Sequence, residues 1–317
     1  MNKPKVSIIV ALYNKEKYIK KCLKSLVNQT LKDIEIIVIN DCSTDKSLDI
    51  VKSFDDKRIK VINNKKNKGI GITRNIGVSK ATGEYIGFVD ADDYVEKDMY
   101  ERYYNYAKEN NLDLLTSDYF KIINNKKEHF KVDNFEITNI EKNHNIINLI
   151  NYGPCNKLFK RDLIINNNII FSETTKFEDV IFVAKAIRYS KHIGYLNEAY
   201  YNYVIHSLSE TTTVDKRTLD IFEVLDNVND IYSNLSGTKE LEYFNINEVT
   251  RYMLKQRYVS GKKEREHFID SGYSYLYSIN YDWRKNRIYK KEPLYKRIVK
   301  NNKTFLSIYC KISNRGD

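Results

Sequence analysis

Two runs near the N-terminus, 6–12 (VSIIVAL) and 34–39 (IEIIVI), are apolar almost throughout and rich in β-branched residues. Strands buried on both faces read this way. Between them, KEKYIKKCLKSLVNQT places Tyr18, Ile19, Cys22, Leu23, Leu26 and Val27 on one helical face. The alternation continues: the pattern predicts helices over 43–54, 70–80 and 98–109, and strands over 59–62, 85–89 and 112–120. A chain built so is α/β, with a mainly parallel twisted sheet flanked by helices and a ligand crevice at the carboxyl ends of the strands.

The polar stretch NNKKEHFKVDNFEITN then reads as an excursion or hairpin, after which 153–205 alternates again. A helix is expected over 180–189, followed by two short strands, 192–196 and 200–205. Beyond Asp215 the character turns helical, with Leu219, Phe222, Leu225, Val228 and Tyr232 at three- and four-residue steps, until Pro293 interrupts the last helical pattern. A loose boundary near 214 divides the chain into an α/β domain, 1–214, and a helical, basic C-terminal region, 215–317. No repeat of solenoid period is present.

Charge and cysteine usage narrow the setting. The net charge is +11, yet residues 251–317 hold 17 Lys and Arg against 6 Asp and Glu, so the rest balances at 36 of each sign. A basic, Tyr-rich region suits an anionic partner, acidic lipid headgroups or nucleic acid, or else is the solvated face of a packing or dimerisation module. No run approaches the roughly 18 uncharged apolar residues of a membrane span, and the N-terminal run lacks a small-residue cleavage site. Cys22, Cys42, Cys155 and Cys310 are scattered without a C-x-x-C pair, which suggests neither zinc knuckle nor disulfide framework. A cytoplasmic protein is expected, peripheral on the inner face of the membrane if the basic region rests there.

Chemistry-bearing residues gather at predicted strand ends. Tyr85-Ile86-Gly87-Phe88-Val89-Asp90-Ala91-Asp92-Asp93 is an apolar strand running into three carboxylates, with Asp90 and Asp92 able to leave on one side. Such a cluster suits a divalent ion shared with substrate phosphates, or a solvated turn that caps a helix. Asp41 and Asp45 follow the second strand in NDCSTD; Asp41 could accept hydrogen bonds from a nucleobase imide or a ribose, while Ser43 or Asp45 caps the next helix. Asn67-Lys68-Gly69-Ile70-Gly71-Ile72-Thr73-Arg74-Asn75 is a Gly-containing loop entering a helix, an anion-site pattern that fits neither the Walker loop nor GxGxxG. Glu178-Asp179 opens a predicted helix, where the helix dipole alone would favour acidic residues.

Taken in order, VSIIVALYN, IEIIVINDCSTDKS, NKGIGITRNIGVSKATGEYIGFVDADD, CNKLFKRDLI and FEDVIFVAKAI resemble the successive blocks of family 2 of the nucleotide-sugar-dependent glycosyltransferases, over residues 4 to 210. The resemblance implies the GT-A fold and inverting transfer of a sugar from a nucleotide-sugar, with UDP the favoured nucleotide, to a hydroxyl. It places Ala11, Tyr13, Asp41 and Asn67 at the nucleotide, with Arg74, Asp90 and Ala91 near base and ribose. Asp92 becomes the metal-bound member of the D-x-D motif, holding Mg²⁺ or Mn²⁺ on the diphosphate. Asp179 becomes the general base, with Glu178 contacting donor or acceptor sugar. Asn156 and Lys157 would shape the acceptor pocket. His206 and Ser209 would close over the diphosphate, although Val204 stands where members often carry arginine. The implied acceptor is a glycan or a lipid-linked sugar in bacterial capsule, lipopolysaccharide or teichoic-acid-like synthesis, and a homo-oligomer is compatible with it.

Two readings compete. A sugar-phosphate nucleotidyltransferase would share the crevice and the carboxylate-bound ion, but usually needs a Gly-rich loop after the first strand, where ALYNKEKYIKK has no glycine. A non-catalytic RNA- or anion-binding protein would use the basic aromatic region and leave the ordered carboxylates unexplained. No nucleic-acid partner is therefore expected.

Overall fold

β1 (Val6–Leu12) and β2 (Ile34–Asn40) pair in parallel along their whole length, and every residue of the two except Ala11 is buried. β3 (Ile59–Asn63) pairs in parallel with β2, and β4 (Tyr85–Phe88) in parallel with β1. The connections carry α1 (Ile19–Val27), α2 (Ser47–Lys52) and α3 (Ile70–Lys80). The spatial order β3-β2-β1-β4 reverses direction between β1 and β4, the switch point at which an open α/β sheet leaves a crevice. The computed structural model describes residues 3–173, 176–206, 215–259, 261–291, 297 and 300–313.

The sheet continues past β4 in mixed sense. β5 (Tyr94–Val95), α4 (Met99–Glu109), β6 (Leu114–Ile123), β7 (Lys126–Phe130), α5 (Ile146–Leu149), β8 (Lys157–Lys160), α6 (Arg161–Asn166), α7 (Glu178–Tyr189) and β9 (Ile193–Ile205) follow in sequence. The full order is β3-β2-β1-β4-β8-β6-β9-β5, with β7 hairpinned onto β6. β8 lies antiparallel between β4 and β6, and β9 runs parallel to β6. The two strands expected over 192–205 are one strand, carried through Asn197 and Glu198 by register shifts against Ser117 and Asp118. Buried Asp118 pins that irregularity, accepting hydrogen bonds from Tyr195 Oη (2.6 Å) and Val132 N (2.8 Å) and pairing with His129 Nε2 (2.7 Å). α2 is shorter than the sequence suggests because Asp45 and Asn40 fasten residues 43–47 as a loop: Asp45 Oδ1 accepts Ser47 N and Asn40 Oδ1 accepts Ser43 N.

An aromatic cluster joins β4, β8 and α7 beneath the crevice. Phe88 meets Phe159, Phe171 and Phe182 edge-on at centroid distances of 5.2–5.8 Å, and Phe171 stacks on Phe182 at 3.9 Å. Such a cluster buries a large apolar area and fixes ring orientations, so the start of α7 is held over the end of β4.

The described residues form two compact units, one comprising 3–173 and 178–206, the other 176–177 and the described residues from 215 onward. The second unit contains α8 (Asp220–Ile231), α9 (Lys239–Lys255), α10 (Lys262–Ile279) and α11 (Lys303–Ser313). α9 and α10 cross closely at Gly272, where a Cβ would come within 2.8 Å of Met253 Sδ. Trp283 and Tyr289 are fully buried beside each other in this unit. The boundary near 214 and Pro293 lie outside the described residues. Among the described residues no helix is long and apolar enough to cross a membrane. All four cysteines are unbridged.

One buried carboxylate locks the end of the sheet away from the crevice. Glu35 accepts hydrogen bonds from Ser7 Oγ (2.5 Å), Lys60 Nζ (2.6 Å), Thr82 N (2.7 Å) and Thr82 Oγ1 (2.8 Å). Burial works to raise its pKa, but the bonds from Lys60, Ser7 and Thr82 outweigh that and bring it to about 2. A lowered folded-state pKa contributes stability that is complete above the unfolded value and lost as pH falls through the folded one. Chemical denaturation between pH 5 and pH 2 should show wild type losing about 2–3 kcal/mol more than Glu35→Gln.

Candidate active site

The carboxyl ends of β1, β2 and β4, the start of α3, the start of α7 and the end of β9 carry the polar residues of the crevice. At its centre is Arg74 on α3, only 4% exposed. Its Nη2 donates to Asp90 Oδ1 at 2.8 Å and its Nη1 to Glu178 Oε1 at 2.7 Å. The guanidinium lies 5.3 Å from the Phe171 ring centroid. A buried cation is tolerated only when paired, and the two carboxylates hold Arg74 firmly protonated despite burial.

The approach of α3 to the segment before α7 makes this possible. Gly71 lies so close to the Ser172 carbonyl that a Cβ would come within 2.1 Å of that oxygen. One turn on, Asn75 exchanges two hydrogen bonds with the Phe171 backbone, Nδ2 to O at 2.9 Å and N to Oδ1 at 2.8 Å. Asp179 follows Glu178 in the first turn of α7. Burial raises its pKa, Arg74 pulls it down, Asp90 pushes it up again, and the net direction is upward.

Asp41 is buried at the end of β2 and accepts from Asn64 Nδ2 (2.8 Å), Lys68 N (2.9 Å) and Gly69 N (2.9 Å). Its carboxylate thereby shapes the 64–69 loop that leads into α3, and Gly69 takes the positive φ (87°) that this turn demands. Asn67 is exposed on the loop, its Oδ1 accepting from Gly69 N. Ala11, next to last in β1, pairs with Ile39, and Tyr13 is exposed just beyond the strand's end at Leu12.

Asp92 Oδ2 receives two partners, Lys15 Nζ at 2.5 Å and His206 Nε2 at 2.8 Å. Burial raises the Asp92 pKa, but Lys15 foremost and His206 after it more than offset this, so the carboxyl stays below its usual range. Ala91, between the two aspartates, is buried. Asp93 is buried too, accepting from Tyr201 Oη and from Val204 N (2.7 Å); the same Tyr201 oxygen accepts from Asp90 N. Burial, then Asp90 and Asp92, push the Asp93 pKa well up. Ser209 lies outside the described residues.

The Asp92 carboxylate is an oxygen ligand of the kind Mn²⁺ or Mg²⁺ takes when phosphate oxygens and water complete the shell, and the His206 imidazole beside it suits Mn²⁺ better than Mg²⁺. Among the described residues no three His, Cys, Asp or Glu side chains converge to hold an ion alone. An ion here would be shared with substrate.

Asn156 and Lys157 open β8 but are buried, 4% and 0% exposed. Asn156 Nδ2 donates to the Ser117 carbonyl, while Lys157 Nζ donates to Asn151 Oδ1, Gly153 O and Asn156 Oδ1. Burial brings the Lys157 pKa down to about 7. These two side chains fasten the 151–156 loop from within.

The family model for glycosyl transferase family 2 matches residues 7–166, half of the chain. The chain belongs to glycosyl transferase family 2. A relative, the uncharacterized glycosyltransferase EpsJ of Bacillus subtilis (strain 168), is 35% identical over 228 residues, covering 68% of this chain and 66% of that protein. The poly(ribitol-phosphate) beta-glucosyltransferase of Bacillus spizizenii is 37% identical over 219 residues, covering 66% of this chain but 34% of that protein. The match thus spans under two thirds of either relative. Among solved structures, residues 1–349 of TarS from S. aureus in complex with UDP-GlcNAc superpose with a TM-score of 0.73 at 23% identity, covering 99% of this chain and 92% of that one. The likeness shows the fold, GT-A with a helical C-terminal region.

Within this family frame, Lys15, Tyr18, Asn75 and Tyr201 join the crevice although the sequence assigned them no role there, while Asp93, read as one of three clustered carboxylates, is buried against Tyr201. Their signals were weak: Lys15 sits in a lysine-rich helix start, and Tyr201 is one of 26 tyrosines. Removing Arg74 leaves the buried Glu178 carboxylate and the partly exposed Asp90 without the cation they share. Arg74→Met should therefore lower unfolding stability by on the order of 3–5 kcal/mol, read from urea titration.

Proposed function

We propose that the protein transfers a sugar from a UDP-sugar to an acceptor hydroxyl with inversion at the anomeric carbon. The observation that carries this is the pairing of Arg74 with Asp90 and Glu178 at the strand-end switch point, which brings the D-x-D turn and the Glu178-Asp179 pair to one crevice. UDP is favoured because the superposable TarS structure is a complex with UDP-GlcNAc.

In this reading Ala11, Tyr13, Asp41 and Asn67 border the base, and Arg74 and Asp90 hold the ribose side. Asp92 and His206 would hold a divalent ion, which when bound offsets charge on the departing diphosphate. Asp179 takes the proton from the acceptor hydroxyl as it attacks. A carboxylate whose pKa is raised is a better base at neutral pH than an ordinary one. Glu178, tied to Arg74, lies beside Asp179 on the sugar side of the crevice. Asn156 and Lys157 act on the acceptor pocket indirectly, by holding the 151–156 loop.

The acceptor class is a surface glycan or lipid-linked sugar, a reading supported by the likeness to the poly(ribitol-phosphate) beta-glucosyltransferase. The basic excess in residues 251–317 suits contact with anionic headgroups at the cytoplasmic face.

Asp179→Asn should lower turnover about 10²–10⁴-fold while leaving the calorimetric Kd for UDP-sugar within about twofold. Wild-type transfer rate in that variant would remove Asp179 as the base. Because Asp179 must be ionised to act, wild-type turnover should fall with acid at a pH above the ordinary carboxylate range. Asp92→Ala should abolish the dependence of UDP-sugar affinity on Mn²⁺; an unchanged response would take Asp92 out of the metal site.

A further inference from the structure

Lys15 is held with unusual care for a lysine at a loop. Its N donates to Ser47 Oγ at 2.8 Å, and its carbonyl accepts from Tyr18 N and Ile19 N, both at 2.9 Å, starting α1. Its neighbours are clamped as well: Asn14 N donates to Ser43 Oγ, Glu16 N to Asp45 Oδ2, and Glu16 Oε2 accepts from Lys46 N. From this fixed backbone the ammonium reaches Asp92 Oδ2 at 2.5 Å, the oxygen that His206 Nε2 also meets at 2.8 Å. The Tyr18 ring stacks on His206 with centroids 4.8 Å apart and planes 12° apart. Three segments, the β1–α1 loop, the D-x-D turn and the end of β9, therefore converge on one carboxylate oxygen.

A lysine ammonium is a mobile point charge with three donors, whereas a divalent ion needs that oxygen in its inner shell. Both cannot hold it on the same terms. The oxygens of a nucleoside diphosphate offer the displaced ammonium an equivalent anionic partner. We propose that Lys15 is a resident counter-cation of Asp92 that must yield the carboxylate to the divalent ion and takes the nucleoside diphosphate in exchange, so that metal and nucleotide bind as a coupled pair. This rests on the reading that Asp92 binds the ion. Coupling of this kind is reciprocal: the nucleotide tightens the metal by the factor with which the metal tightens the nucleotide. A chain without the lysine keeps the metal site but loses part of that coupling.

The test is Mn²⁺ titration followed by electron paramagnetic resonance on the full chain, without nucleotide and then with UDP, for wild type, Lys15→Met, Lys15→Arg and Asp92→Asn, each checked for folding by thermal melt. Without nucleotide, Lys15→Met should bind Mn²⁺ about tenfold more tightly than wild type, Lys15→Arg should match wild type, and UDP should tighten Mn²⁺ less in Lys15→Met than in wild type. Equal Mn²⁺ affinity in Lys15→Met and wild type, with Asp92→Asn still losing the ion, would overturn the role of Lys15 and leave the metal reading standing. Mn²⁺ binding that survives Asp92→Asn, or no Mn²⁺ binding even with UDP, would overturn the metal reading and this inference with it.

Discussion

The crevice depends on keeping one charge out of water. The Arg74 guanidinium is buried, and burying a cation with no partner costs several kcal/mol, a large share of a domain's stability, so carboxylates must meet it. Asp90 from the end of β4 and Glu178 from the start of α7 supply them. Asp90 lies 16 residues and Glu178 104 residues from Arg74 in sequence, so satisfying Arg74 fixes where both segments lie. The next carboxylates along, Asp92 and Asp179, inherit their positions. The Phe88–Phe159–Phe171–Phe182 cluster below and the Asn75 amide above add the apolar and backbone contacts that hold the same arrangement.

Two carboxylates in this crevice are driven in opposite directions by their surroundings. Asp92, against Lys15 and His206, is held ionised, which is what the proposed cation-binding role requires of it. Asp179, where burial and the neighbouring Asp90 outweigh Arg74, has its proton affinity raised, which suits the proposed role of base. Divergence of paired carboxylates is how one site separates a binding role from a proton-transfer role. Asp93, its two oxygens taken up by Tyr201 Oη and Val204 N, serves instead as a brace between the D-x-D turn and β9.

The fold's first half was legible because its signals are local. β1 and α3 have the bounds the patterns predicted, since strands buried on both faces read as unbroken β-branched runs and α3 is bounded by the Gly69 turn and Ala81. Beyond β4 the signals weaken. β5 and β8 are two and four residues long, too short for a period, and β9 passes through Asn197 and Glu198, which read as a break because nothing local announces the buried Asp118 that pins the bulge. For the crevice, order along the chain singled out Arg74, Asp90, Asp92, Glu178 and Asp179. It could not show that Asp41 is engaged by the 64–69 loop or that Lys15 reaches Asp92, because both contacts are made across tens of residues, nor that Lys157 is turned inward onto its own 151–156 loop, which no local pattern announces.

The central claim is that these residues form a nucleotide-sugar site. Isothermal titration of the protein with UDP-, GDP-, CDP- and dTDP-sugars, in Mn²⁺ and again in EDTA, tests it most directly. The account predicts that UDP-sugars bind in Mn²⁺, bind much more weakly in EDTA, and outcompete the other three nucleotides. Absence of binding across the whole panel, or equal binding of all four nucleotides with and without metal, would contradict it.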